Sequence, residues 1–334
     1  MKKLLLAAAA LALFAAAPAA RAADHLTLQL KWVLQAQFVG YYVALAKGFY
    51  KKENLDVTIR PGGPDINPDQ VLAAGGADVV IDWMPSALAT REKGVPIVNI
   101  AQVFQRSGLE LTCRKDSGIR TPADFKGKTL GVWFAGNEYP FLAWMAKLGY
   151  TWNGPHPDIR VLKQGFNVDP LLQKQAACIS TMTYNEYWQL IEAGMKPSQL
   201  IVFKYEKEGV ATLEDGLYTL QKDIDDPAMA AKLARFLIAS KMGWEYAIHH
   251  QSEAVNILLK YDTAGVLTKV HQTHMMAAVA ELVEGGPHGW GWLSPAAYNR
   301  TVDELLASKS TPVITKRPVG AWTHAIWDKA FKTE

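Results

Sequence analysis

From Leu26 onward the chain alternates short apolar runs of strand character with longer stretches of helical period, one after another. Each such strand must bury both faces, and an intervening helix must cover one of them. The alternation therefore predicts an α/β architecture with mainly parallel sheets. Leu26–Leu30, Leu55–Arg60, Ala77–Asp82, Pro96–Gln102 and Leu109–Cys113 read as strands of a first sheet. Asn67-Pro68 opens a helix between them, with proline at the position that tolerates it best. Around Asp116–Gly118 the pattern restarts. Thr129–Val132, Asp158–Leu162, Ala176–Thr181 and Leu200–Lys204 read as a second sheet. After Leu217–Leu220 the chain turns helical, with Asp226-Pro227, Ser294-Pro295 and Gly320 as helix openings. This predicts two lobes with a ligand cleft between them, residues 23–114 plus 216–334 and residues 115–215. The crossings are expected near Thr112–Asp116 and Gly209–Gly216, with the last helices returning to the first lobe.

The amino terminus reads differently. Met1-Lys2-Lys3, an apolar run from Leu4 to Ala17 and Ala20-Arg21-Ala22 have the form of a secretory signal peptide over residues 1–22. The run is short for a membrane span. No cysteine follows the cleavage region to carry a lipid, so a soluble periplasmic protein is expected. Removing Lys2, Lys3 and Arg21 removes the whole of the formal +3 charge, and nothing that remains suggests nucleic acid. Cys113 and Cys178 could pair after export, yet each sits in an apolar run where a buried free thiol is ordinary. Free thiols are the expectation.

Catalytic and metal motifs fail on inspection. Phe125-Lys126-Gly127-Lys128-Thr129 ends like a phosphate loop, but Pro122 stands where that loop needs glycine. No nucleophile elbow and no dinucleotide fingerprint follows a strand. His271 and His274 share a helical face without a third ligand nearby, which fits a packed or surface pair. No metal, no cofactor and no enzymatic activity are expected.

In open α/β sheets ligands bind beyond the carboxyl ends of the strands. That rule selects Lys31–Phe38, Asp82–Ser86, Trp133–Tyr139 and Thr181–Glu186, with Glu214-Asp215 at the second crossing as a further candidate. The candidate ligand residues are Trp32, Gln35, Phe38, Asp82, Trp83, Trp133, Asn137, Glu138, Tyr184, Glu186 and Asp215. Indoles and phenols give flat stacking faces; amides and carboxyls read donor and acceptor patterns. The four segments hold no arginine, and Lys31 is their only cation. A planar nitrogen heterocycle bearing N–H groups suits this set better than a sulfonate, nitrate or phosphate. Trp144, in mid-helix, is assigned to the core. Asp82 has a second possible role as a helix cap, and Glu138 as a charge at its helix start.

The ordered motifs Leu30-Lys31-Trp32, Phe38-Val39-Gly40-Tyr41-Tyr42, Lys47-Gly48, Gly76-Ala77-Asp78, Gly94-Val95-Pro96 and Asp124-Phe125-Lys126-Gly127-Lys128 resemble the thiamine-pyrimidine-precursor/sulfonate-type substrate-binding family. The resemblance implies a periplasmic binding protein of the two-crossing type (type II). It also implies a pocket using Trp32 and Asp82-Trp83, and partnership with the permease subunits and cytoplasmic ATPase of an ABC importer. By analogy with that class a monomer is expected. The cargo expected is a thiamine-type aminopyrimidine or a similar heterocycle, with an alkanesulfonate or nitrate-type anion as the alternative. The family's fungal branch makes the thiamine pyrimidine enzymatically, but Phe38 occupies its histidine position and its cysteine-rich motif is absent, so a secreted synthase is disfavoured.

Overall fold

The computed structural model describes residues 22–284, 286, 288–307 and 312–332. Residues 1–21, within the segment expected to be a signal peptide (1–22), lie outside the described residues. Two five-stranded sheets form the frame. The first runs β2-β1-β3-β10-β4, with β1 Asp24–Gln29, β2 Leu55–Arg60, β3 Val79–Asp82, β4 Ile97–Gln102 and β10 Gly216–Leu220. The second runs β7-β6-β8-β5-β9, with β5 Leu109–Arg114, β6 Thr129–Val132, β7 Arg160–Lys163, β8 Cys178–Met182 and β9 Leu200–Lys204.

The two orders are the same pattern. In each sheet three neighbouring strands are parallel, and one antiparallel strand is inserted beside them. β10 pairs antiparallel with both β3 and β4, and β5 pairs antiparallel with both β8 and β9. The sheets are thus mixed rather than mainly parallel. Each inserted strand is the first one reached after the chain changes lobe. This corrects the first boundary: Leu109–Cys113 belongs to the second sheet, so the first crossing is 103–108, not Thr112–Asp116. The reason is physical. Leu111 and Cys113 are fully buried on either sheet assignment, and an apolar run does not name its neighbour. The second passage lies between Lys204 and Gly216.

Register also decides the cysteines. Cys113 stands directly opposite Cys178 across the antiparallel β5/β8 pair, and the two form a disulfide. The free-thiol expectation fails because cross-strand partners in antiparallel sheets come within bonding reach, a fact that burial alone does not reveal.

Helices cover the sheets unequally. In lobe 1 the helix Val39–Ala46 is buried against the long helix Pro227–His249, where Gly40 and Gly243 let the two backbones meet. A Cβ on Gly243 would sit 2.1 Å from the Gly40 carbonyl oxygen, and one on Gly40 would sit 2.2 Å from the Trp244 ring. Gln251–Leu259, Lys269–Val283 and Ala325–Phe331 complete that coat. The last helix begins at Ala325 and not at Gly320, whose positive φ of 66° marks a turn. In lobe 2 the cover is Tyr139–Lys147, the short turn Asp169–Leu172 and Glu186–Glu192. Trp144 packs edge-on against Phe125 and Tyr205 in its core, as its mid-helix position suggests.

Candidate ligand cleft

Because β1 and β3 are parallel, both run out at the same edge of the first sheet, and the same holds for β6 and β8 in the second. The four exit loops face one another across the gap between lobes. They frame a cleft lined by Lys31, Trp32, Gln35, Gln37, Trp83, Trp133, Asn137, Met182, Tyr184, Asn185 and Glu186. The lobes touch around it. Trp32 and Trp133 meet edge to face with centroids 5.9 Å apart, Asn67 Nδ2 donates to the Ala135 carbonyl at 3.2 Å, and Lys163 Nζ reaches Asp65 at 2.7 Å.

The structure brings seven of the eleven candidates to the cavity wall: Trp32, Gln35, Trp83, Trp133, Asn137, Tyr184 and Glu186. Four stand elsewhere. Phe38 is wholly buried in the hydrophobic core of lobe 1, because it enters the helix that follows. Asp82 is wholly buried behind the wall, where it binds Lys31 Nζ at 2.5 Å and the Trp83 backbone N–H at 2.7 Å. It makes no side-chain cap on the helix Met84–Glu92. Glu138 turns back to accept from Gly136 N–H at 2.8 Å. Asp215 lies one layer out, accepting from Trp83 Nε1 at 2.9 Å and Gln37 Nε2 at 2.7 Å, so it orients two wall residues. Of the pair Trp133 and Phe134, the indole faces the cleft, while Phe134 is 37% exposed.

Lys31, Gln37, Met182 and Asn185 are wall residues missing from the candidate set. Lys31, Gln37 and Asn185 sit inside the selected loops, so polarity next to a named aromatic was the available signal. Met182 is the last residue of a buried strand and carries no such signal.

The electrostatics follow from burial. Lys31 is 2% exposed and Asp82 is 0% exposed, so the one wall cation is cancelled by a partner out of reach of water. Its Nζ also lies 4.6 Å from the Trp83 ring centre, above the indole face. Asp69 lies behind this pair. Burial, and then the Asp82 charge, raise its carboxyl well above the usual range. Burial pushes the Glu186 carboxyl up to about 8, despite hydrogen bonds from Met182 N–H and Asn185 Nδ2. Burial raises Asp215 to about 6, offset by the Gln37 hydrogen bond and the Lys31 charge. At neutral pH the wall therefore offers three indoles, several amides, and a carboxyl still holding its proton. Such a wall can clasp a flat ring and match its edge, but it has no unpaired cation for an anion. Among the described residues no cluster of three or more His, Cys, Asp or Glu could hold a metal.

The family described as NMT1/THI5 like matches residues 35–254. A formylaminopyrimidine-binding protein of Halalkalibacterium halodurans is 25% identical over 240 residues, 71% of each chain. Riboflavin-binding protein RibY of Chloroflexus aurantiacus is 25% identical over 260 residues, 74% of this chain and 70% of its own. A 4-amino-5-hydroxymethyl-2-methylpyrimidine phosphate synthase of Candida albicans matches over only 110 residues, 32% of each chain, at 27% identity. Among solved structures, one from Bordetella bronchiseptica superposes with a TM-score of 0.71 at 19% identity, covering 92% of this chain and 96% of that one. The alkanesulfonate-binding protein SsuA from Xanthomonas axonopodis pv. citri, bound to MOPS, gives 0.58 at 15% identity, with coverage of 79% and 85%. At these identities the structural likeness speaks for the fold: two α/β lobes of the periplasmic-binding-protein kind.

Proposed function

We infer, since the chain belongs to the NMT1/THI5-like family, that it captures a planar nitrogen heterocycle of the aminopyrimidine type for an ABC importer. The observation that carries the reading is the wall itself. Trp32, Trp83 and Trp133 surround a space suited to one ring, and the only cation in it, Lys31, is already paired with Asp82. An aminopyrimidine edge alternates acceptor nitrogen and donor amino group. A carboxyl that retains its proton, as Glu186 does, can donate to the first and accept from the second. A sulfonate would need a free cation or several converging N–H groups.

In this reading the protein works in the periplasm as a monomer. Closure of the lobes over the ligand builds the surface that the permease subunits read, and ATP is spent on the cytoplasmic side. It performs no chemistry on its cargo. Relatives named as binding proteins align over most of this chain, while the synthase match covers 32% of it.

The test is calorimetry on protein freed of bound ligand, titrated with formylaminopyrimidine, riboflavin and an alkanesulfonate in parallel. Binding of the aminopyrimidine alone is the expected result. Trp32→Ala and Trp83→Ala should each weaken it at least about tenfold, near 1.4 kcal/mol. Binding of only the sulfonate would overturn the cargo while leaving the capture role, and unchanged affinity in both variants would displace the pocket.

A further inference from the structure

The helix Lys269–Val283 lies outside the cavity wall, yet one of its side chains reaches the residues that form it. The helix belongs to lobe 1: it packs on Gln251–Leu259 and on the turn Ala36–Phe38, where Gln272 Oε1 accepts from Ala36 N–H at 2.7 Å. His271, 8% exposed, leaves that helix toward lobe 2. Its Nε2 lies 2.9 Å from Asn185 Oδ1, and its Nδ1 lies 3.1 Å from both carboxylate oxygens of Glu192. Asn185 lines the cavity; Glu192 ends the helix that starts at Glu186.

Asn185 is the junction of a directional chain of amides. Asp215 can only accept, so Gln37 must turn its Nε2 toward it, at 2.7 Å. Gln37 Oε1 is then left to accept from Gln35 Nε2 at 2.6 Å, and Gln35 Oε1 accepts from Asn185 Nδ2 at 3.3 Å. Asn185 Nδ2 also donates to Glu186 Oε1 at 2.7 Å. Its Oδ1 thus faces away from the cavity, toward Gln189 Nε2 at 3.0 Å and His271 Nε2. Without the imidazole donor, the junction loses its only side-chain bond to the C-terminal helices. Gln35, Glu186 and Gln189 still fix the direction of the amide, so what goes with the imidazole is a tie between the lobes at the cavity edge.

We propose that His271 is a positioning residue of the cleft, which ties Asn185 and Glu192 of lobe 2 to the lobe 1 helix Lys269–Val283 and so holds the lobes closed on a bound ring. The proposal deepens the ligand-capture reading and rests on it for the identity of the ring, but not for the bridge itself. It assigns to the C-terminal helices a part in ligand retention beyond covering the first sheet.

The test compares His271→Phe, which keeps a ring and removes the donors, with His271→Gln, which keeps a donor. The probe is formylaminopyrimidine, and the readouts are affinity and dissociation rate. The expected result is a loss of at least about tenfold in His271→Phe, chiefly through faster release, and a loss within about threefold in His271→Gln. In an Asn185→Ala, Glu192→Ala background His271→Phe should add almost nothing, since those two residues are its partners across the cleft. Equal affinity of wild type and His271→Phe, equal losses in both variants, or additivity with the Asn185→Ala, Glu192→Ala pair would each overturn the proposal. A second measurement needs no ligand. Spin labels at Val319→Cys and Phe166→Cys, both exposed and on opposite lobes, report the separation of the lobes; the native cysteines are buried in their disulfide. His271→Phe should widen the distance distribution and His271→Gln should restore it. If formylaminopyrimidine fails to bind wild type but this distance responds, the cargo is wrong and the bridge stands. If the probe binds and neither readout moves, the bridge is wrong and the cargo stands.

Discussion

The two sheets share one strand order, yet the lobes built on them handle buried charge and rigidity in opposite ways. Lobe 1 brings a full ion pair to the cleft, Lys31 with Asp82, backed by the buried Asp69. Lobe 2 brings a lone carboxyl, Glu186, which stays neutral instead of finding a cation. Lobe 1 is wrapped by long helices that meet at Gly40 and Gly243; lobe 2 has shorter helices and a disulfide between adjacent strands. Topology sets where a site can form. What fills it depends on how each lobe was made stable enough to carry it.

The sharpest way to break this comparison is to remove the glycine that lets the lobe 1 helices meet. Gly243→Leu drives a side chain into the Gly40 carbonyl and the Ala44 methyl group. It should destabilise the protein by about 3 kcal/mol or more, or leave no soluble folded protein, as read by thermal and urea melts. A wild-type melt would mean that the helices part freely and that lobe 1 is not held this way. Next in size is the disulfide. Cys113→Ser with Cys178→Ser should cost about 2–4 kcal/mol. Hydrogen exchange should quicken in β5 and β8 while β1 and β3 hold their protection. Equal loosening of both sheets would deny the lobes their separate means of support.

A further effect concerns pH. Glu186 and Glu214 both titrate near 8 in the folded chain because burial penalises their charged forms, against an ordinary value of 4.5. Between those limits the folded protein holds more protons than the unfolded one. Its stability is therefore greatest below about pH 4.5 as far as these groups decide it, and falls as pH rises through 8. Asp69 and Asp215 act in the same direction. Melting temperature should decline from pH 5 to pH 9, and Glu186→Gln should flatten the decline. An unchanged slope in that variant would show that the lobe 2 carboxyl is not kept neutral by burial.

Much of this was legible in the chain. Alternating periods gave the α/β class, and the rule of strand exits led to Trp32, Trp83, Trp133, Tyr184 and Glu186 without any coordinates. What stayed hidden depended on partners distant in sequence. Leu109–Cys113 and Leu217–Leu220 read only as buried strands, so nothing in them declares an antiparallel insertion or the sheet that receives it. Asp82 looked like a cap or a ligand because its real partner, Lys31, stands on another strand exit. His271 looked like an ordinary packed histidine because Asn185 is 86 residues away. Phe38 was misplaced for a local reason: the loop turns into helix one residue later and carries the ring inward.

The inserted strands have a consequence for the order in which the molecule can assemble. β4 pairs with no strand of its sheet except β10, so an emerging chain holds Ile97–Gln102 as an unpaired ribbon until Gly216–Leu220 has been made. β5 through β9, by contrast, form one uninterrupted stretch of chain that can close on itself as soon as Lys204 appears. The middle of the polypeptide is thus free to become native first, while its beginning waits for its end.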